Sequence, residues 1–116
     1  MSTIAQAKRD EQERRRNEGA WVITWGNPEL DLQDDVGTSG PSHSTIKKTE
    51  IINNPLSYEF DMWEDGEVTP DYSGWCYLPE GFTEAAFRPL NDFGEANTGC
   101  ASIRYRNKET GEYETL

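Results

Sequence analysis

The side chains best able to do chemistry are concentrated between positions 56 and 82. LSYEFDMWEDGEVTPDYSGWCYLPEGF holds seven of the chain's thirteen aromatic rings, seven carboxylates and no positive charge. Carboxylates at this density can serve as a general acid and base, hold a hard cation, or present charge to a basic partner. A glycosidase pair needs a deep cleft, and a chain of 116 residues has little room to enclose one. DMWEDGE and DLQDD lack the D-x-[DN]-x-[DN]-G spacing and later glutamate of a calcium loop. Presentation of charge is the reading that remains.

Other reactive groups are sparse. His43 is the only imidazole, and its setting in GPSHST is a poor mount for a base that a third group must orient. Cys76 and Cys100 lie 24 residues apart with no C-x-x-C, and read as buried free thiols rather than a bridge. Two cysteines and one histidine fall short of a zinc set. The sequence therefore predicts a non-enzymatic protein with no catalytic residue, metal or cofactor.

With 22 acids against 11 bases, the formal charge is −11. That argues against direct contact with nucleic acid or an anionic membrane, because phosphate contacts require clustered positive charge. A basic partner is the better expectation. No apolar run approaches the roughly 20 residues that span a bilayer, and MSTIAQAKRDEQERRRNEG lacks the apolar core of a secretory signal. A cytoplasmic location is expected, in the host cytosol if the chain is phage-encoded.

Period-two patterning must position the acids. In LSYEFDMW, Leu56, Tyr58, Phe60 and Met62 alternate with Ser57, Glu59, Asp61 and Trp63, which predicts a strand with one core face and one outward face. Asp65 and Gly66 signal a tight hairpin, with Val68 and Thr69 returning before Pro70. YSGWCYL is a further strand, closed by Pro79, Glu80 and Gly81. AWVITWG sets Trp21, Ile23 and Trp25 against Val22 and Thr24; ELDL reads as a short extended piece and TIKKTEII as a strand. Residues 33–45, rich in Gly, Ser and Thr, read as a mobile loop. TEAAF permits one helical turn capped by Thr83 and ending near Arg88 before Pro89, and CASIRYR pairs with GEYETL as a last hairpin.

Residues 3–18 are predicted to be helical, capped by Ser2 or Thr3 and stopped by Gly19. Beyond Ile4, Ala5 and Ala7 this helix has no apolar face. At about 100° per residue, Lys8, Arg9, Arg15 and Arg16 fall on one half of the wheel, and Asp10, Glu11, Glu13 and Glu18 on the other with Arg14. A helix polar all round is either solvated or docked by charge. The four bases are thus candidates for docking, on a neighbouring copy or another partner.

The expected fold is α+β, mainly β: a small antiparallel sheet or sandwich of five to seven strands (20–116) with an appended charged helical arm (1–19). Glu59, Asp61, Glu64, Asp65, Glu67 and Asp71 are expected to form an outward acidic face. Trp63 and Trp75 would be its apolar anchors, since tryptophan is favoured at interface hot spots. Between Lys48 and Arg88 lie nine acids and no base, so no counterion is close in sequence.

The expected partner is a basic protein, such as a nucleic-acid-binding effector or nuclease, blocked sterically or by mimicry of nucleic acid. Mimicry requires the 59–71 hairpin, ELDLQDD and the acidic carboxy terminus to converge, because one strand spaces its charges too widely. Small acidic inhibitors that phages direct against restriction or CRISPR machinery are similar in size, charge and lack of catalytic groups; no motif extends the likeness to a family. Two other expectations follow from the same residues: a phage virion or assembly component that oligomerises through the helix, and a carbohydrate-binding β domain.

Overall fold

The computed structural model describes residues 3–116. Its order is α1 (Ile4–Asn17), β1 (Trp21–Gly26), β2 (Ser39–Gly40), α2 (Lys48–Asn53), β3 (Ser57–Trp63), β4 (Tyr72–Tyr77), α3 (Glu95–Thr98), β5 (Ser102–Arg106) and β6 (Tyr113–Thr115). The strands form one antiparallel sheet in the order β2-β1-β4-β3-β5-β6. This is the α+β, mainly β class expected, as a single sheet rather than a sandwich.

Alternation along β3 and β4 decides where the main core sits. Phe60 and Met62 share a face with Tyr72, Cys76, Ile103 and Tyr105, and all are buried. Burial of side chains this size stabilises by about 1.5–3 kcal/mol each. The lid over this face is 84–98. Thr83 caps a short 3-10 turn by accepting from the Ala85 N–H at 3.3 Å, as the sequence predicts. The winding then continues through Pro89 instead of stopping at Arg88, because proline in the first turn of a helix sacrifices no hydrogen bond. A wider π-helical turn, Leu90–Gly94, lowers Leu90 and Phe93 onto the sheet. Gly94 permits this approach: a Cβ there would lie 2.7 Å from the Met62 sulfur.

The opposite face is only half covered. α2 seats Ile51 against Ala20, Val22 and Tyr77, with Trp75 at the margin of that cluster. TIKKTEII was expected as a strand. A strand needs a neighbouring ladder, whereas a helix satisfies its own backbone and still delivers Ile51 to this apolar patch. ELDL is likewise not extended: Glu29 and Leu30 belong to the 3-10 turn Pro28–Leu30, and Asp31 and Leu32 link it to a second, Gln33–Asp35. Asn27 favours that outcome by accepting from the Glu29 N–H at 2.9 Å.

Residues 33–45, expected to be mobile, are tied to β1: Ile23 donates to the Thr38 carbonyl, Gly37 donates back to Ile23, both at 2.8 Å, and β2 pairs with Trp21 and Val22. Strand β4 begins at Tyr72, so Val68 and Thr69 belong to the turn rather than to a returning strand.

A register shift in β1 changes one predicted face. Ile23 pairs with Gly74 and Trp25 with Ser73, leaving Thr24 as the extra residue of a bulge. Trp25 therefore leaves the face of Trp21 and Ile23 and joins Ser73, Asp61 and Arg104 on the uncovered half of the sheet.

α1 ends where Gly19 adopts φ +80°, a left-handed conformation natural for glycine. Thr3 is its cap, accepting from the Gln6 N–H at 3.1 Å. Within α1 only Asn17 is buried.

Candidate acidic interface

The proposed acidic face does not survive as one surface. Asp61 is 5 % exposed and accepts three hydrogen bonds: from Trp63 Nε1 at 2.8 Å, Arg104 Nε at 2.8 Å and Arg104 Nη2 at 2.6 Å. Antiparallel register sets Arg104 directly opposite it on β5. A base 43 positions away in sequence thus supplies the missing counterion. The hydrogen bond to Asp61 raises the Arg104 pKa further above its ordinary value. Trp63 is correspondingly no free anchor: its ring lies 4.5 Å beneath the guanidinium, with Tyr113 on the same cation at 5.3 Å.

Asp71 is 1 % exposed, which removes it from any contact surface. Its Oδ2 is 3.5 Å from the Cys100 thiol and its Oδ1 has no donor among the described residues. The neighbouring Glu64 carboxyl is pushed above 4.5, first by a hydrogen bond to Asp71 and then by that residue's charge. Glu59 is half-buried on the open sheet face opposite Trp75, close enough to Tyr113 to help raise its pKa after the larger effect of burial. Trp75 is half-buried against the α2 cluster.

Of the expected acids, Glu64, Asp65 and Glu67 remain at the surface, in the turn between β3 and β4. The fold brings a second acidic turn beside them. Asn27, 4 % exposed, donates its N–H to the Asp71 carbonyl at 2.9 Å and its side-chain amide to the Pro70 carbonyl at 3.1 Å. These bonds tie the β1–β2 connection, which carries Glu29, Asp31, Asp34 and Asp35, to the β3–β4 turn. Asp35 is anchored by the Tyr72 hydroxyl at 2.6 Å, leaving the first three free to face solvent. Both turns hang from the same end of the sheet.

This acidic end keeps its charge. The ion pairs within 4.0 Å among the described residues are Arg104–Asp61 and Arg15–Glu11. None involves Glu29, Asp31, Asp34, Glu64, Asp65 or Glu67. Large apolar side chains are interleaved with them: Trp25, Leu30, Val36 and, at 87 % exposure, Val68. The third expected segment, EYETL, forms edge strand β6, four strands from β1 in the sheet order, so it does not share the contact that joins the other two.

The remaining reactive groups are placed away from this end or sealed. Cys76 and Cys100 are free, buried thiols, each pushed up to about 12 by burial. His43 is exposed in the connection after β2. Among the described residues, no group of three His, Cys, Asp or Glu side chains is arranged to hold a metal ion, and no helix is long and apolar enough to cross a membrane.

Sequence reading missed Trp25, Leu30, Val36 and Val68 as surface residues. For Trp25 the bulge hides the signal. For the other three the signal was present, as apolar residues isolated among acids and turn formers. Comparison with family models, curated proteins and solved structures finds no match for this chain.

Proposed function

We propose that this chain is a non-enzymatic acidic binding module whose acidic end engages a basic protein surface. The observation that carries this reading is the pairing of two acidic turns across Asn27 with no cation within ion-pair distance among the described residues. Unpaired like charges held side by side cost stability, and a cationic partner would relieve that cost. The anchor in this reading is Trp25, 39 % exposed and next to the acidic turn in sequence, in place of Trp63.

Charge density favours a protein-like contact over phosphate-for-phosphate mimicry. Duplex DNA presents charge alone, about one per 1.7 Å of axis, whereas the acidic end interleaves its six carboxylates with four apolar side chains. Such a mixture suits a basic surface with apolar positions of its own. A nucleic-acid-binding effector or nuclease carries basic surface of this kind, and its occupation would inhibit the enzyme by steric block.

The test is affinity capture from host lysate at low and high salt, with the native chain and with the triple variant Asp31→Lys, Asp65→Lys, Glu67→Lys. The native chain should retain a basic protein at low salt and lose it at high salt, and the variant should retain none at either. Equal capture by both proteins would overturn the reading.

A further inference from the structure

We propose that the outward face of α1 docks on the acidic end of a second copy of this chain, so that copies associate head to tail. This rests on the acidic end being an uncompensated docking surface, as proposed above, and adds its partner within the species itself.

The helix supplies the first half of the argument. Asp10, Glu13, Arg14 and Asn17 line a groove of about 600 Å³ shared with Glu50 of α2 and Tyr77. Asn17 closes that side, donating to Thr45 Oγ1 at 3.2 Å and accepting from the Thr45 N–H at 2.8 Å. At about 100° per residue, the face turned away from the groove carries Ile4, Lys8, Arg9, Gln12, Arg15 and Arg16. It has four bases and no acid, Glu11 reaching Arg15 only from the flank. Ile4, at its tip, is 80 % exposed. A 14-residue helix in which Asn17 is the one buried residue is marginal in water. Among the described residues the one ion pair on this face is Arg15 with Glu11 of the same helix, and a docked partner would stabilise it.

The acidic end supplies the complement. It presents carboxylates with the opposite sign and, in Leu30, Val36 and Val68, exposed apolar side chains that match Ile4. The two surfaces cannot easily meet within one copy. α1 enters the start of β1 and the acidic turns leave its finish, so the chain joins them to opposite ends of that strand. Contact between copies is therefore heterologous, one copy's helix on the next copy's acidic end, and it extends into a ring or an open chain. Exposed charges drive it, so it weakens once the Debye length falls from about 10 Å at 0.1 M salt to about 3 Å at 1 M.

Sedimentation velocity on the full chain tests this with two variants. Arg9→Gln, Arg15→Gln, Arg16→Gln removes the basic face without creating an acidic one, and Asp31→Lys, Asp65→Lys, Glu67→Lys removes the acidic end. The native chain should form species larger than a monomer at low salt that dissociate at high salt, and each variant alone should stay monomeric. Mixed, the variants should form a discrete 1:1 dimer that grows no further, since one retains only the helix face and the other only the acidic end. A monomeric native chain at low salt, or self-association of the helix variant equal to the native chain's, would overturn the proposal. The helix variant also separates the two readings: capture of a basic protein should be unchanged in it, whatever the outcome for self-association.

Discussion

Asn27 and Pro70 are joined by a 3.1 Å hydrogen bond from the asparagine amide to the proline carbonyl, and that contact seats one acidic turn against the other. Proline offers no N–H of its own, so its carbonyl is the group through which this corner of the β3–β4 turn is fixed. Replacement of Asn27 by alanine leaves that half-buried acceptor without its donor and removes the cap on the Pro28–Leu30 turn. Urea denaturation should show a loss of about 1–3 kcal/mol. Binding of a basic partner should weaken although no charge has changed, because the backbone bond from residue 27 to the Asp71 carbonyl is then left to hold the two turns without the side-chain bond.

Asp61 and Arg104 should respond unequally to substitution. Asp61 has 7 % of its side chain exposed and Arg104 31 %, so removing the arginine strands a buried carboxylate while removing the acid leaves a cation that water can reach. Arg104→Met is expected to cost about 3 kcal/mol and Asp61→Asn about 1 kcal/mol, both read from urea denaturation. Equal costs would mean that water reaches Asp61 as readily as Arg104.

Glu64 makes stability depend on pH in a definite direction. Its folded pKa lies above the ordinary 4.5 because it shares a hydrogen bond with Asp71, so the folded state binds protons more tightly than the unfolded chain. The stabilisation is complete below pH 4.5 and is lost as pH rises through the folded value. Glu64→Gln removes this dependence. Its Tm should exceed that of the native chain at neutral pH, and the gap should close below pH 4.5.

Trp25 and Trp63 should separate binding from stability. Trp63 donates to Asp61 and lies under Arg104, so Trp63→Ala should cost about 2 kcal/mol. Trp25 has no such duty, and Trp25→Ala should cost less than half as much while weakening the basic partner at least about tenfold, as loss of a tryptophan anchor does. The reverse pattern in thermal melts and titrations would restore Trp63 as the anchor.

Local pattern made much of this structure legible. The alternation from Ser57 to Trp63 gave β3 and its core face, Thr3 and Gly19 bounded α1, and the 100° spacing separated the basic face of that helix from the side lining the α2 groove. What stayed hidden depended on distant pairing. Register across β3 and β5 brought Arg104 to Asp61, the bulge at Thr24 turned Trp25 to the other face, and burial behind Pro70 withdrew Asp71. Residues 48–53 became helical because a half-covered sheet face offered Ile51 a seat, and no local propensity records such a vacancy. The union of the Glu29–Asp34 and Glu64–Glu67 turns was conditional in the sequence for the same reason.

The most direct measurement is of the electrostatic potential at each backbone amide, from nuclear relaxation caused by cationic and anionic nitroxide cosolutes of equal size. Amides of residues 29–36 and 65–69 should favour the cationic probe more strongly than any other part of the surface, and the preference should fall with added salt. A uniform preference over the whole surface, or a stronger one elsewhere, would contradict an uncompensated acidic end.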